Sequence, residues 1–182
     1  MIKKIFTTTL LALSASITTV PAEAQENITS AVVNMGSCSK MVNTTQPFIL
    51  VLNSGDNLLE NISQCAKAAK LHGASISGLG QVQNPTLAYF TSNPTDKPKL
   101  TTFPGYYELA SINGNISANG TNYYTHAHAA LADKQFHGIT GHLNKATVGL
   151  TVEMTIVPFS TAVQRTVDAK TGFGPLVATR EK

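Results

Sequence analysis

Four of the five histidines in this 182-residue chain fall within one short stretch, THAHAALADKQFHGITGHL, from Thr125 to Leu143. They are His126, His128, His137 and His142. Histidine clusters of this kind suit a divalent transition metal, because a neutral imidazole nitrogen is a good ligand for Zn, Cu, Fe and Ni. A β-strand sends alternate side chains to one face, so Tyr124, His126, His128 and Ala130 share a face if this segment is extended. Asp133 and Lys134 favour a turn after Ala132. The chain then returns through Gly138-Ile139-Thr140-Gly141, and an antiparallel return brings His142 beside the HxH pair. Three neutral imidazoles around one point, with a fourth position open, would match a catalytic type of zinc site. The competing reading is that these histidines are polar fillers of a half-exposed strand. His137 belongs to the turn and is expected in solvent. His72 is expected at a helix end, where the carbonyl groups favour positive charge.

What must position these residues is legible in outline. Pro47 to Leu52 (PFILVL) reads as a buried strand. Ser54-Gly55-Asp56 turns the chain, and Asn57 with Glu60 three residues on resembles a capping box. Leu58, Leu59, Ile62, Cys65, Ala66 and Ala69 then mark one face of a helix, with Gly73 at its C-terminal end. The remainder reads as strands: Ala74 to Leu79, Thr86 to Phe90, a strand within Tyr106 to Ile116 with a bulge or turn at Gly114, Tyr123 to Leu131, and Thr147 to Val157. A loop with Pro94, Pro98 and Pro104 spans Ser92 to Pro104, and Asn119-Gly120 marks a hairpin turn. In the last strand Val148, Leu150, Val152, Met154 and Ile156 are expected to face the core. Strand, helix, then a series of strands predicts an α+β fold with a mainly antiparallel sheet and one main helix.

The ends of the chain set its compartment. Lys3 and Lys4, a Thr/Ser-diluted apolar run and Ala22-Glu23-Ala24 read as a bacterial signal peptide over residues 1–24, which predicts export to the periplasm or medium and no membrane anchor after cleavage. Residues 25–46 read as a loose arm, 47–159 as the single domain and 160–182 as a weakly patterned tail. In an oxidising compartment the even pair Cys38 and Cys65 suggests one disulfide, the alternative being two separate buried thiols. Five Asn-x-Ser/Thr sequons, at Asn27, Asn43, Asn61, Asn115 and Asn119, would matter only in a eukaryotic secretory route. The formal charge of +3 and the mere two arginines, Arg165 and Arg180, argue against a nucleic-acid partner.

Two families bear comparison. Gly120, five residues, then His126-x-His128 matches the opening of a cupin motif, but Asp133 stands where a cupin has Glu, and the second cupin motif is absent. The segments PFILVLNSGDNLLENISQCAKAAKLHGA, YELASINGNIS, HAHAALADKQFHGITGHL and TVGLTVEMTIV, in that order, resemble the plant-and-prokaryote-conserved (PPC) domain family over Pro47 to Phe159. The resemblance implies an α+β fold assembled as a homotrimer. It implies that His126, His128 and His142 match the family's HxH and GGHL histidines, which can hold a metal, with Thr140 replacing the first Gly of GGHL. It also places Glu108 and Glu153 at the family's acidic strand positions, as candidates for supporting the ligands from behind. The functional expectation is an exported metal-binding protein, zinc first, with a candidate activity on a small molecule. A non-catalytic trimeric binding or structural module is the alternative, and a DNA-binding protein is the least favoured reading.

Overall fold

The computed structural model describes residues 31–177. The signal peptide expected over residues 1–24 lies outside them. Among the described residues no helix is long and apolar enough to cross a membrane.

Among the described residues, seven strands and one α-helix follow in the order β1 (Val32–Val33), a 3-10 helix (Met35–Met41), β2 (Phe48–Asn53), α1 (Leu58–Ala68), β3 (Ala74–Tyr89), β4 (Lys99–Thr102), β5 (Tyr106–Asn119), β6 (Asn122–Ala132) and β7 (Gly138–Pro158). The sheet runs β1-β2-β7-β6-β5-β3-β4, and β3 also pairs with β7. The long strands β3, β5, β6 and β7 therefore close on one another, which removes most of their free edges. Every pairing is antiparallel except β1 with β2. The expected α+β architecture is the one observed.

Local physics explains the elements. The apolar run of β2 alternates buried and half-buried residues against β7. The helix α1 starts at Asn57, whose side chain accepts a hydrogen bond from the Glu60 amide, as a cap should. Leu58, Ile62, Cys65, Ala66 and Ala69 are fully buried and join the core with Leu50, Leu52, Met154 and Ile156. The helix stops earlier than its sequence suggests. Ala69 caps it and Lys70 takes the left-handed conformation (φ 51°), so Gly73 is not its terminator. His72 accordingly lies in the connection to β3, where its carbonyl accepts from the Val163 amide.

The other departures concern strands longer than their hydrophobic pattern. The two short strands expected at Ala74–Leu79 and Thr86–Phe90 are one, β3. Register shifts at Gly78/Gly80 against β5, and again near Gly80 and Thr86 against β7, let it bend through the polar segment Gln81–Pro85. Gly80 sits at φ 148°, and a Cβ there would meet the β7 backbone at Thr151. The same irregularity puts Leu150 outside. Gly80 opposes Val152 while Val82 opposes Val148, so three β7 residues bulge opposite one, and Leu150 is 70% exposed between buried Val148 and Val152. Residues 31–46 are no loose arm. They hold β1 and the 3-10 helix, and Cys38 in that helix is bridged to Cys65 of α1 with the Cα atoms 5.3 Å apart. The expected proline loop contains β4, paired to β3 through Thr86–Tyr89.

Candidate metal centre

The strand β6 carries the first two candidate ligands. Its odd-numbered residues Thr125, Ala127, Ala129 and Leu131 are buried, toward the core. Above them, α1 is tied to the strand by a 2.7 Å hydrogen bond between the Ser63 and Thr125 hydroxyls, and the Tyr123 hydroxyl donates to the Leu71 carbonyl (2.7 Å). The alternate residues Tyr124, His126 and His128 then necessarily face the other way. Asp133 makes the turn that follows. Its carboxylate accepts from the amides of Gln135 and His137, and those backbone bonds hold it below the usual carboxylate range. His137 stays on this turn, 79% exposed, with Nδ1 3.3 Å from Asp133.

The chain returns as β7 and pairs His142 directly with His128. One nitrogen from each of His126, His128 and His142 lies within 4.8 Å of the other two. The ring centroids are 5.0 to 5.5 Å apart. The arrangement is narrow enough for one small cation to touch all three imidazoles, so the donor set fits a divalent transition metal. Gly141 does not enable it by close approach, since a Cβ there would make only ordinary contact with Leu87. The glycine that matters is Gly114 on β5, opposite Ala127. A Cβ there would run into the His126 carbonyl, so Gly114 is a close-packing position rather than a bulge.

Burial tunes the ring of His142. Desolvation first, then the charges His126, His128 and Arg165 would carry, lower its pKa from 6.5 to about 4. His126 is lowered by burial, then by Arg165 and His128. Phe90 meets the His142 ring edge-on at 5.1 Å between centroids. These rings are therefore held in the neutral, ligating form below the pH near 6.5 at which ordinary imidazoles protonate.

Glu108 and Glu153 stand elsewhere. Glu108 accepts a hydrogen bond from the Gln81 side chain (3.1 Å), and Glu153 lines a separate depression with Ser77, Leu79 and Asn113. The residue that the sequence did not flag is Arg165. It is 4% exposed and lies beside the histidines, its guanidinium 5.1 Å from the centre of the Tyr124 ring. It comes from the tail, which bridges back to β5 at Ala118. The only signal was an arginine in a chain that has two. A cavity of about 460 Å³ opens over the histidines, walled by Phe90, Tyr124, Phe173 and Pro175.

Set against known proteins, residues 39–160 match the model of the Plants and Prokaryotes Conserved (PCC) domain. No curated protein matches the sequence. Among solved structures the chain is similar to a plant- and prokaryote-conserved protein from Pyrococcus horikoshii, at 24% identity and TM-score 0.66, covering 75% of this chain and 94% of that one. It is also similar to a putative DNA-binding protein from Ralstonia eutropha, at 28% identity and TM-score 0.65, covering 72% and 91%. A metal-containing protein from Archaeoglobus fulgidus shares the fold at 23% identity and TM-score 0.64, covering 73% and 94%.

Proposed function

The chain belongs to the Plants and Prokaryotes Conserved domain family, and from that premise we propose that it is an exported metalloprotein whose His126, His128 and His142 hold one divalent transition metal, zinc first, for action on a small molecule. The cupin alternative falls away with the family. The observation that carries the reading is the convergence of three imidazole nitrogens within 4.8 Å from two paired strands. When bound, zinc supplies Lewis acidity toward an oxygen-bearing ligand. The chain does the rest. Its imidazoles donate in their neutral form, Phe90 steadies the His142 ring, and the adjoining cavity admits a ligand while its aromatic walls displace water. The relative from Archaeoglobus fulgidus is called metal-containing, which agrees with this assignment.

Export is supported by the Cys38–Cys65 bridge, since disulfides persist in oxidising compartments, and by the leader-like residues 1–24. Assembly as a homotrimer is what the family resemblance implies, and exposed apolar side chains such as Tyr106 (58%) and Leu150 (70%) are available to a subunit contact. Although one relative is named a putative DNA-binding protein, a net charge of +3 with only two arginines, Arg165 of them buried, argues against a phosphate-binding surface, and we propose no nucleic-acid partner. Metal analysis of protein purified without chelators and resupplied with zinc tests the centre. One zinc per chain is expected, lost in each single His→Ala variant at 126, 128 and 142 and kept in His72→Ala and His137→Ala. Wild-type protein that holds no zinc would defeat the proposal, and a metal-loaded protein inert toward every small molecule would favour the non-catalytic module.

A further inference from the structure

Arg165, Phe173 and Pro175 all lie past residue 160, where the match to the family model ends. The tail thus adds to the wall of the histidine cavity with residues outside the span that the family model matches. Arg165 is anchored by three hydrogen bonds: Nε to the Ser117 hydroxyl (2.7 Å), Nη1 to the Gly174 carbonyl (2.9 Å) and Nη2 to the Asn115 side-chain oxygen (2.5 Å). Asn115 is the cross-strand partner of His126, and Ser117 that of Tyr124, so the guanidinium is held on the histidine face of the sheet. A guanidinium has five N–H donors. These three bonds use one on each nitrogen and leave one N–H on each terminal nitrogen.

The charge around that group is one-sided. Among the described residues no carboxylate pairs with Arg165, and none lines the cavity. A nearly buried cation without an anion is costly. A divalent metal on the three histidines would add positive charge to the same cavity. The remaining walls, Phe90, Tyr124, Phe173 and Pro175, are apolar or aromatic. A volume of about 460 Å³ is that of a small-molecule site.

Building on the metal reading above, we propose that the cavity binds a small organic carboxylate, its acid group between the histidines and Arg165 and its apolar body against Phe90 and Phe173. Arg165 sets the specificity for the anion, and the tail that carries it completes the site. A carboxylate fits better than a free inorganic anion, because most of the wall would stay unused by the latter. The planar acid group also matches the fork of a guanidinium.

Calorimetric titration of the purified zinc-loaded protein tests this, with zinc content measured beforehand. Phenylacetate is the probe, and phenylacetamide, acetate and inorganic phosphate are the controls. Phenylacetate should bind about tenfold or more tightly than phenylacetamide, the value of one charge-assisted hydrogen bond, and more tightly than acetate or phosphate, which leave the apolar wall unused. Arg165→Gln should keep its zinc and lose about tenfold of the preference for phenylacetate over phenylacetamide, the part of that preference that the metal does not supply. Phe173→Ala should weaken phenylacetate toward the level of acetate while leaving acetate binding unchanged. If Arg165→Gln does not fold, Arg165→Lys, which keeps the charge but loses the fork, should fall between wild type and phenylacetamide. Equal binding of acid and amide, unchanged binding by the arginine variants, or phosphate binding as tightly as phenylacetate would overturn the proposal. Protein that takes up no zinc defeats the metal reading alone. The same titrations on metal-free protein then decide this one, with Arg165-dependent preference for the acid sustaining it and no preference overturning it.

Discussion

The two faces of β6 share one backbone and the same pairings to β5 and β7, yet they do opposite things. Thr125, Ala127, Ala129 and Leu131 are sealed against the core, while Tyr124, His126 and His128 look into a cavity beside a buried arginine. On the buried face Thr125 bonds to Ser63 of α1, and Ala127, Ala129 and Leu131 are closed off from solvent. The open face places polar rings that hydrophobic burial does not require. The contrast teaches that stability and chemistry are divided here by side-chain parity, not by region of the chain. Changes on one face should leave the other largely intact, whereas changes to the backbone that both share should destroy both.

Gly114→Ala is the severest test, because its Cβ would strike the His126 carbonyl and push β5 off β6 between the two ligands. We expect loss of the folded protein and of zinc together, seen as absent near-UV dichroism and no bound metal. A folded, zinc-loaded variant would break the comparison. Leu131→Ala, on the buried face, should cost about 2–5 kcal/mol in denaturant unfolding while zinc stoichiometry stays at one. Replacing both cysteines, Cys38→Ser with Cys65→Ser, should cost about 3–4 kcal/mol for a closed loop of 27 residues, again without changing the metal content.

Acid acts on the open face. In the metal-free protein His142 is neutral down to about 4, whereas in an unfolded chain it would protonate near 6.5. The unfolded state therefore binds more protons in between. The stability tied to this ring is full above about 6.5 and declines as pH falls toward about 4. Melting temperatures across this range should drop with pH in wild type and drop less in His142→Ala. The lowered pKa values of His126 and His142 also move metal release to lower pH than the value near 6.5 expected of ordinary imidazoles. The smallest stability effect belongs to His126→Ala. It should abolish zinc binding yet change the metal-free unfolding free energy by less than about 1 kcal/mol, as half-exposed positions do. A large loss would mean that the open face carries the fold after all.

Much of this was readable from local pattern. The α1 face, the Asn57 cap, the Asn119-Gly120 turn and the alternation of β6 all follow from periods of 3.6 and 2.0 and from turn chemistry, which act over a few residues. The three histidines could be nominated together because only a single turn separates them, so a local argument sufficed. Where the reading went astray, the deciding contact was distant. Polar Gln81–Pro85 fell between two expected strands, and pairing of Gln81, Val82 and Gln83 with β5 and β7 joins them into one. Leu150 had the parity of a core residue, and a bulge set by β3 turned it outward.

The sequence by itself determined which residues could alternate, cap, turn and ligate, because those properties reside in the residues and their immediate neighbours. Tertiary structure alone decided that Arg165, 23 residues past His142 in a stretch without pattern, comes to rest beside the ligands. Its place depends on hydrogen bonds to Asn115 and Ser117, about fifty residues away. No periodicity within the tail encodes such bonds, since both partners are fixed only when β5 is already paired in the sheet.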